Sequence, residues 1–534
     1  MKLTYDQAVT LHRIGQLKRA ESAYRELLED PNVAVRSAYG LGVVLLQLGN
    51  AVDALPYLEA TSEENPSDVD LINALGAAYQ QVGDYQAAKR SFEKSINLCP
   101  SHPGALINLG VVLYQMGQFE LSIVALEKVI HASPKNGTAY YNYSRSLLAL
   151  GMLKESESAA SKALELQPDV EEVNINLGVT QMSLGLNNKA EDSYKSVLYH
   201  NPVSAEAHHN LAQIYLQTGK FEEGWKAFKW RWKTQGFDGA AVFQKIQPWD
   251  SIGVLPGRLL VWTEQGVGDQ ILFASMMPDL LDSVDNVIIA CSERLVTLFS
   301  RSFPRAEVVS QSDLLLDGAA LKAITHQVAV GDLGQFFRHN INCFDQQYSY
   351  LIAASEKVKT LRSVYKVRCD NKLLVGISWF SGNPRFGKSK SIDLLQLASQ
   401  LSLPNVQLVS LQYGSTEVEI EKVKAAGIDI FCDPDINALN NLDVFATQVK
   451  AMDLVITVSN TTAHFAGAMG VPCWTLLSMG LGKFWYWFLE REDSPWYPSV
   501  RLFRQIEPGD WSQVLAEMSE AFSKWPPSSE KIDN

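Results

Sequence analysis

The sequence repeats itself with a period of 34 residues, and this period limits the possible folds more than any other feature. Seven glycines stand in this register: Gly15, Gly49, Gly83, Gly117, Gly151, Gly185 and Gly219. Five prolines keep the same spacing: Pro66, Pro100, Pro134, Pro168 and Pro202. Seven repeats of constant length are typical of a solenoid, in which each repeat buries its apolar face by stacking on its neighbours.

Each repeat predicts a pair of antiparallel α-helices. Apolar residues recur at helical spacing on both sides of the glycine, as Leu109 and Leu113 do before Gly117 and Leu126 does after it. The glycine is expected to form a left-handed turn between the helices, and the proline to end the second helix. This pattern resembles the tetratricopeptide repeat and covers about residues 1–238. The resemblance implies a right-handed superhelix with a concave binding face.

Asparagine recurs at one position of the first helix in four consecutive repeats: Asn108, Asn142, Asn176 and Asn210. Stacked repeats would align these residues, and each amide has a donor and an acceptor that could pair with the backbone of an extended protein segment. The alternative is that asparagine is simply common at this repeat position. Ala74 and Gly40 stand at the equivalent positions upstream. A ladder that binds an acceptor protein would therefore be confined to the C-terminal half of the solenoid.

After residue 238 the pattern changes to short β-branched runs that alternate with helical stretches. We interpret 239–257, which is rich in Gly, Pro and aromatic residues, as a linker. The predicted strands are 259–263, 286–291, 307–310, 327–331, 373–380, 406–412, 429–432, 453–458 and 473–477. This alternation predicts parallel sheets covered by helices. We expect two doubly wound, Rossmann-like domains at 258–355 and 356–524, followed by a tail at 525–534.

The composition narrows the class of partner. Forty-six basic and 59 acidic residues give a net charge of −13, which disfavours nucleic acid or an anionic membrane as the main partner. Six cysteines without CxxC spacing disfavour a disulfide framework and fit a reducing cytoplasm. No apolar run reaches about 18 residues, and the N-terminal segment has no apolar region like that of a signal peptide. We expect a cytoplasmic protein without a membrane span.

The first motif that could carry chemistry is TEQGVGD, residues 263–269, between a predicted strand and a predicted helix. Glycines at such a turn let a ligand approach the backbone, and a helix N-terminus attracts anions. Glu264 and Asp269 would face the edge of the sheet where α/β proteins bind ligands. The motif is not GxGxxG, so a nicotinamide cofactor is disfavoured. The alternative is a tight turn in which Asp269 only caps the helix.

The second motif is SNTTAHFAGAMG, residues 459–470, after the predicted strand 453–458. Asn460 or Thr461 can cap the following helix, which leaves free N–H groups and hydroxyls at its start. That arrangement suits a diphosphate. His464 lies one turn into the helix and could reach a phosphate or a sugar. The alternative for His464 is a buried histidine with a structural role.

The third motif is the basic loop NPRFGKSKS, residues 383–391, after the predicted strand 373–380. Lys388 and Lys390 could neutralise a nucleotide diphosphate as it leaves. The alternative is a solvated basic loop. An acidic string also occurs at Asp433-Pro434-Asp435, but a loop centred on proline is a poor metal site. We expect no bound metal.

These motifs, in this order behind the repeats, resemble a GT-B glycosyltransferase of the group that includes the ADP-heptose transferases and repeat-fused bacterial relatives. The resemblance spans about 240–512. It rests on EQGVGD, GISWFSGNP, SLQYG, TTAHFAGAMGVP and EREDSPWYPSVRLFRQ with the later Trp511. The layout is similar to that of O-linked N-acetylglucosamine transferase and of bacterial enzymes that glycosylate flagellin. The implied fold is an α-solenoid followed by an α/β GT-B fold of two Rossmann-like domains.

The resemblance also implies roles for the matching residues. Asp269 is implied as the catalytic base, with Glu264 as the alternative. Lys390, with Lys388 close by, is implied to hold the donor phosphate. The other implied donor-binding residues are Gln412, Ser459, Asn460, Thr461, Thr462 and His464. Many relatives have Asp where this chain has Ser459, and the loop Gly480–Lys483 is richer in glycine than expected, so the sugar and nucleotide stay open.

The expected function is that of a metal-independent protein O-glycosyltransferase. A nucleotide-sugar would bind between the two α/β domains as a co-substrate, with no cofactor. The Ser or Thr hydroxyl of a protein acceptor, with flagellin as one candidate, would come along the concave face of the repeats. Two alternatives stay open: a non-catalytic scaffold with a degenerate GT-B domain, and a glycosyltransferase that acts on a glycolipid or polysaccharide.

Overall fold

The computed structural model describes residues 3–234, 242–253, 257–344, 348–383 and 387–525. The chain forms two compact units, Met1–Gln181 and Met182–Asn534. The first unit consists of repeat helices, and the second contains the remaining repeat helices together with two β-sheets. Parts of the predicted linker, 239–241 and 254–256, and the predicted tail from 526 onward lie outside the described residues.

The first compact unit is a series of helices that pack on one another in chain order. They are α1 Tyr5–Arg13, α2 Leu17–Leu27, α3 Ala34–Gln47, α4 Ala51–Glu64, α5 Val69–Val82, α6 Tyr85–Leu98, α7 Pro103–Gln115, α8 Phe119–Ala132, α9 Gly137–Ala149, α10 Leu153–Leu166 and most of α11 Glu171–Ser183. Gly83, between α5 and α6, has a φ of 88°. The other repeat glycines also have positive φ, which confirms the predicted turns.

The second compact unit begins with the end of α11 and three more repeat helices: α12 Asn187–His200, α13 Ala205–Gln217 and α14 Phe221–Phe228. The repeats therefore extend into the same compact unit as the sheets. Aromatic residues of α14 explain the attachment, since Trp225 and Phe228 belong to one buried apolar cluster with β2 and β3. The Trp225 indole N–H also donates to the carbonyl of Arg338 at 2.7 Å.

The first α/β lobe is a parallel sheet of five strands in the order β1-β5-β2-β3-β4. The strands are β1 Gln247–Pro248, β2 Leu259–Trp262, β3 Val287–Cys291, β4 Glu307–Ser310 and β5 His326–Ala329. Its helices are α15 Val267–Ala274, α16 Met277–Ser283, α17 Val296–Ser302, α18 Gln311–Leu316, α19 Gly318–Ala323 and α20 Gly334–Phe337. Alternate residues of β2 enter two different apolar clusters, so both faces of this sheet are covered.

The second α/β lobe has seven strands in the order β11-β12-β10-β9-β6-β7-β8, and only β11 runs antiparallel. The strands are β6 Leu373–Ser378, β7 Val406–Ser410, β8 Ile430–Phe431, β9 Leu454–Val458, β10 Cys473–Leu477, β11 Asp493–Ser494 and β12 Tyr497–Arg504. The helices are α21 Ser355–Arg368, α22 Gly387–Lys390, α23 Leu394–Leu401, α24 Glu417–Ala425, α25 Leu442–Lys450, α26 Thr461–Ala468 and α27 Ser512–Ser523.

The structure confirms each predicted strand and adds three more. β1 lies inside the predicted linker 239–257 and forms the edge of the first sheet beside β5. β11 and β12 lie in the run EREDSPWYPSVRLFRQ, which was not predicted as a strand. Among the described residues, no helix is both long and apolar enough to cross a membrane.

Candidate functional site

The N-terminal ends of two helices meet at the candidate site. Helix α15 follows β2 of the first lobe, and α26 follows β9 of the second lobe. They touch at Gly268, where a Cβ atom would lie 2.9 Å from Cδ2 of His464 and 3.7 Å from Oγ1 of Thr461. The first and second sequence motifs therefore face each other. Ligands of α/β proteins bind at such carboxyl ends of parallel strands.

Asp269 lies in the first turn of α15, at this junction. Its Oδ2 accepts a hydrogen bond from the Gly266 N–H at 3.3 Å. Asp269 therefore does cap the start of α15, as the alternative interpretation of this motif expected. The residue as a whole is partly exposed. Burial raises its pKa to about 6, and the charge of Glu264 raises it further, while Lys390 opposes the shift. A carboxylate with this pKa can take up a proton near neutral pH.

Lys390, at the end of α22, is the buried cation of the site. The residue is 5% exposed, and its Nζ lies 4.5 Å from the ring centroid of Phe484. Within the described part of the chain it makes no hydrogen bond and no ion pair shorter than 4 Å. Burial lowers its pKa to about 8, and Asp269 counteracts part of this shift. Lys388 is exposed, whereas Lys390 is buried beside Asp269.

The glycine-rich loop after β10 fits closely against this lysine. A Cβ at Gly482 would fall 2.5 Å from Cγ of Lys390, so a larger residue here would push the lysine or the loop away. The departure of Gly480–Lys483 from the expected polar loop thus has a packing reason. Lys483 is itself partly buried, and burial lowers its pKa to about 8, with a further contribution from Arg504.

His464 is buried and has two neighbours that fix its ring. Its Nδ1 lies 2.8 Å from the hydroxyl of Tyr497, and its ring stacks on Trp487 with centroids 5.6 Å apart. Burial lowers its pKa to about 3, and the charge of Lys390 lowers it further. The ring is therefore neutral at neutral pH and cannot bind a phosphate as a cation. Of the two contacts predicted from the sequence, with a phosphate or with a sugar, only a contact made by a neutral ring is compatible with this pKa.

Asn460 is the N-cap of α26, as predicted, but its side chain has no capacity left for a ligand. Its Oδ1 accepts from the Thr462 N–H at 2.9 Å and from Thr457 Oγ1 at 3.0 Å. Its amide group donates to Ser378 Oγ at 2.7 Å and to the Phe380 carbonyl at 3.1 Å. Both polar atoms of this side chain hold the second lobe together, and the donor-binding role expected of Asn460 stays a prediction.

The remaining polar groups at the start of α26 differ in their bonding. Ser459 Oγ accepts from the indole N–H of Trp487 at 2.8 Å. Thr462 Oγ1 is buried and has no hydrogen-bond partner among the described residues. Thr461 is the first helical residue and is partly exposed beside Gly268. The N–H groups of Thr462 and Ala463 donate to the Asn460 side chain and carbonyl, at 2.9 and 3.2 Å, so the first turn is already capped from within the chain. The positive end of the helix dipole at Thr461 still favours an anion.

Gln412 follows β7 and was predicted to bind the donor, but it holds the backbone after β6 instead. Its Oε1 accepts from the N–H groups of Trp379 at 2.8 Å and Phe380 at 3.0 Å. Its Nε2 donates to the carbonyls of Phe380 and Tyr413, each at 3.3 Å. These bonds occupy the amide and fix the backbone that leads into the third motif, while the donor-binding role of Gln412 stays a prediction.

Glu264 was the alternative catalytic base, and the structure gives it another role. The guanidinium of Arg231 donates to both carboxylate oxygens, at 2.6 and 2.8 Å, and the Gly331 N–H adds a bond at 3.0 Å. Arg231 also pairs with Asp332 at 2.7 Å. Because Glu264 is buried and fully bonded, it joins the segment after α14 to the first lobe and is not a free base.

The asparagine ladder is largely used inside the solenoid. Three of the four amides donate to nearby groups: Asn108 to Asn73 Oδ1 at 3.1 Å, Asn142 to the Thr138 carbonyl at 3.0 Å and Asn176 to Ser144 Oγ at 2.7 Å. Asn142 and Asn176 are also buried. Each of these three amides thus uses one of its two N–H donors inside the solenoid, and the binding of an acceptor protein by this row stays a prediction. Asn210 is partly exposed in the second compact unit.

The acidic string at 433–435 is also engaged, since Asp433 Oδ2 accepts from the hydroxyl of Tyr365 at 2.6 Å. In the described ranges no three His, Cys, Asp or Glu side chains cluster as metal ligands would. A cavity of about 510 Å³ opens beside β12 and α27, and one of about 760 Å³ lies against α9 and α10. Neither cavity is lined by Asp269 or Lys390.

Sequence analysis missed the aromatic wall of the site. The side chains that surround Asp269, Lys390 and His464 include Phe484, Tyr486, Trp487 and Tyr497. Tyr497 stands in EREDSPWYPSVRLFRQ, which was noted only as a mark of resemblance. The signal available was the density of aromatic residues in 484–497, which ordinary core packing would also produce.

Comparisons with known proteins agree with the repeat architecture. One family model described as tetratricopeptide repeat matches residues 5–69 and 107–171. A second model with the same description matches residues 69–102 and 205–229. Protein FlbA of Caulobacter vibrioides is 30% identical over 325 residues, which cover 58% of this chain and 54% of FlbA. The chain thus spans about half the length of this curated relative.

Solved structures that resemble this chain include a tetratricopeptide repeat protein from Parabacteroides merdae and MamA from Desulfovibrio magneticus. The first is 15% identical with a TM-score of 0.38, and the superposition covers 45% of this chain and 94% of the Parabacteroides merdae chain. The second is 25% identical with a TM-score of 0.30, and covers 32% of this chain and 96% of its own. Scores this low carry no argument about function. The segments 5–102, 107–171 and 205–229 of this chain are tetratricopeptide repeats.

Proposed function

We propose that the second compact unit is a GT-B glycosyltransferase that uses a nucleotide-sugar. The observation that carries the proposal is the arrangement of Asp269 and Lys390. Asp269, whose carboxyl has a raised pKa, lies within electrostatic reach of the buried Lys390, where the start of α26 meets the start of α15, and among the described residues no carboxylate forms an ion pair with this lysine. A lysine and a helix start together suit a diphosphate, and the carboxyl suits the attacking hydroxyl.

In the proposed reaction, a hydroxyl of the acceptor attacks the anomeric carbon of the sugar. Asp269 takes the hydroxyl proton as the new C–O bond forms. The bond between the anomeric carbon and the diphosphate breaks, and the diphosphate leaves with the electron pair. Lys390 and the positive end of the α26 dipole stabilise the charge of the leaving group. These residues provide both proton removal and charge stabilisation without calling on a cofactor.

We further propose that the acceptor is a protein, with a Ser or Thr hydroxyl as the nucleophile and flagellin as one candidate. The support is the presence of tetratricopeptide repeats in the same chain as the candidate site. A partner bound by the repeats would be held at high effective concentration next to the site. A glycolipid or polysaccharide acceptor would leave the repeats without a role.

Nucleotide release from a panel of UDP-, GDP-, ADP- and CMP-sugars tests this proposal. We expect one donor to be turned over, and Asp269→Asn to lower the rate by about 100-fold or more, because the proton acceptor is lost. A variant that retains the full rate would remove Asp269 from the proposed mechanism. If none of the donors is used or bound, the scaffold alternative is favoured, in which the repeats alone carry the function.

A further inference from the structure

Arg231 is fully buried in the 3-10 helix Lys229–Lys233, which follows the last repeat helix α14. Its guanidinium carbon lies 4.3 Å from the ring centroid of Phe228 and 4.1 Å from that of Trp232. Its Nη1 group donates to the Phe228 carbonyl at 3.0 Å and to Asp332 at 2.7 Å. Ring contacts and hydrogen bonds therefore hold this side chain in place.

The other two guanidinium nitrogens of Arg231 hold Glu264, the second residue of the motif 263–269. Nε donates to one carboxylate oxygen at 2.8 Å, and Nη2 donates to the other at 2.6 Å. A pair with two parallel bonds fixes the orientation of the carboxylate as well as its distance. The Gly331 N–H adds a third bond at 3.0 Å. Glu264 is therefore anchored entirely by groups that lie outside its own motif.

A strained turn follows directly after Glu264. Gln265 has a φ of 60°, a left-handed conformation that residues other than glycine adopt only where the surrounding structure imposes it. At the other end of the turn, the Gly266 N–H donates to Asp269 Oδ2 at 3.3 Å. The bonds from Arg231 fix the start of the turn, and Asp269 is bonded to its end. A turn that relaxed from this conformation would therefore carry the Asp269 carboxyl with it.

We propose that Arg231, a residue from outside both α/β lobes, is a positioning residue for Asp269, because through Glu264 it holds the strained turn that carries this carboxyl. The role of Asp269 as a base rests on the proposed function, while the anchoring of the turn does not. The segment after the last repeat thereby completes the candidate active site. The two lobes without this segment would lack the arginine on which the conformation of the turn depends.

Steady-state kinetics of the full chain compare two substitutions that face the same arginine. Glu264→Gln and Asp332→Asn each replace a carboxylate partner of Arg231 by an amide of the same shape. We expect Glu264→Gln to lower kcat by about tenfold or more with the donor KM unchanged, because an amide N–H facing the guanidinium breaks one of the two bonds and displaces the base. Asp332→Asn is the matched control and should keep the full kcat, since the bonds to Glu264 remain. Equal kcat in the two variants would overturn the inference.

The pH profile and a double variant separate positioning from a role in stability alone. Burial raises the pKa of Asp269, and the charge of Glu264 adds to this shift. Glu264→Gln should therefore move the acidic limb to lower pH, while kcat on the plateau stays low. Arg231→Met combined with Glu264→Gln should be more stable than Arg231→Met, yet equally slow, because the turn is still not anchored. Recovery of kcat together with stability would mean that Arg231 serves the fold alone.

Amide hydrogen exchange of the peptide 263–270, measured in the full chain, tests the anchoring without any activity. We expect faster exchange in Glu264→Gln and in Arg231→Lys, which keeps the charge but cannot form both bonds, and unchanged exchange in Asp332→Asn. The same exchange in all of these proteins would overturn the inference. A chain that turns over no donor but shows the expected pattern would count against the proposed function and would support the anchoring of the turn by Arg231.

Discussion

Gly268 and His464 are packed so closely that a single added methyl group on Gly268 would lie 2.9 Å from Cδ2 of the histidine ring. This contact joins α15 of the first lobe to α26 of the second. It explains why a residue without a side chain stands just before Asp269 in the first motif. The same contact places the acidic residue of one lobe beside the helix start of the other.

Gly268→Ala is expected to destabilise the second compact unit by about 1–3 kcal/mol, because the ring of His464 would have to move in a packed site. Thermal unfolding of Gly268→Ala and of the unmodified protein measures this loss of stability. Gly266→Ala is the matched control, since a Cβ there meets only Asp269 Oδ2 at 3.5 Å. Equal stability of both alanine variants would show that the helices do not meet as described.

The two shifted groups of the site predict a bell-shaped pH dependence of kcat/KM. Asp269, with a pKa of about 6, must be ionised to accept a proton, so activity should rise as pH increases through about 6. Lys390, with a pKa of about 8, must be charged to hold the anion, so activity should fall as pH increases through about 8. Asp269→Asn should remove the acidic limb along with most of the activity. A profile that is flat from pH 5 to 9 would contradict both assignments.

Lys390→Met should stabilise the protein at pH 7 while it abolishes function. The lowered pKa of Lys390 means that the fold disfavours the charged ammonium group, so an apolar side chain of similar length should raise the free energy of unfolding by about 1–3 kcal/mol. The cost of the charge disappears as pH rises from about 8 to 10.5, so the gain should vanish there. Denaturant titration of both proteins at pH 7 and at about pH 10.5 measures this difference in the free energy of unfolding.

The matched control for this change is Lys388→Met, because Lys388 is exposed in the same short helix. We expect its free energy of unfolding to stay within about 0.5 kcal/mol of the unmodified protein. A loss of stability in Lys390→Met, with no change at Lys388, would mean that the lysine has a stabilising partner and is not held for a ligand.

Arg231 and Glu264 form a buried ion pair that should behave as one unit in stability. Arg231→Met is expected to cost about 3–5 kcal/mol, because it leaves the Glu264 carboxylate buried without its partner. The double variant Arg231→Met with Glu264→Gln should be less destabilised than the sum of the two single changes. Additive effects in chemical denaturation would contradict the bidentate pairing.

The regular parts of the fold could be predicted because repeated spacings of glycine and apolar residues in the sequence mark their helices, turns and strands. Each repeat glycine lies at the predicted left-handed turn, and the strands of both sheets appear where apolar runs were short and β-branched. The missed strands lacked such a signal. β1 and β11 have two residues each, and β12, YPSVRLFR, mixes a proline and two arginines with its apolar positions.

The candidate site was predicted only in part, for a different reason. Asp269, Lys390 and the start of α26 could be predicted to share one site, because each follows the carboxyl end of a predicted parallel strand. The sequence could not show that Gln412 and Glu264 are already bonded, because their partners are distant along the chain. Trp379 stands 33 residues before Gln412, and Arg231 stands 33 residues before Glu264. Such pairings depend on tertiary packing, which local patterns do not encode.

Calorimetric titration of the purified chain with UDP, GDP, ADP and CMP is the decisive test for a nucleotide-sugar site. We expect selective binding of one nucleotide, an affinity lower by about tenfold or more in Lys390→Met, and unchanged affinity in Lys388→Met. Absence of binding for all four nucleotides, or equal losses in the two lysine variants, would contradict a donor site between α15 and α26.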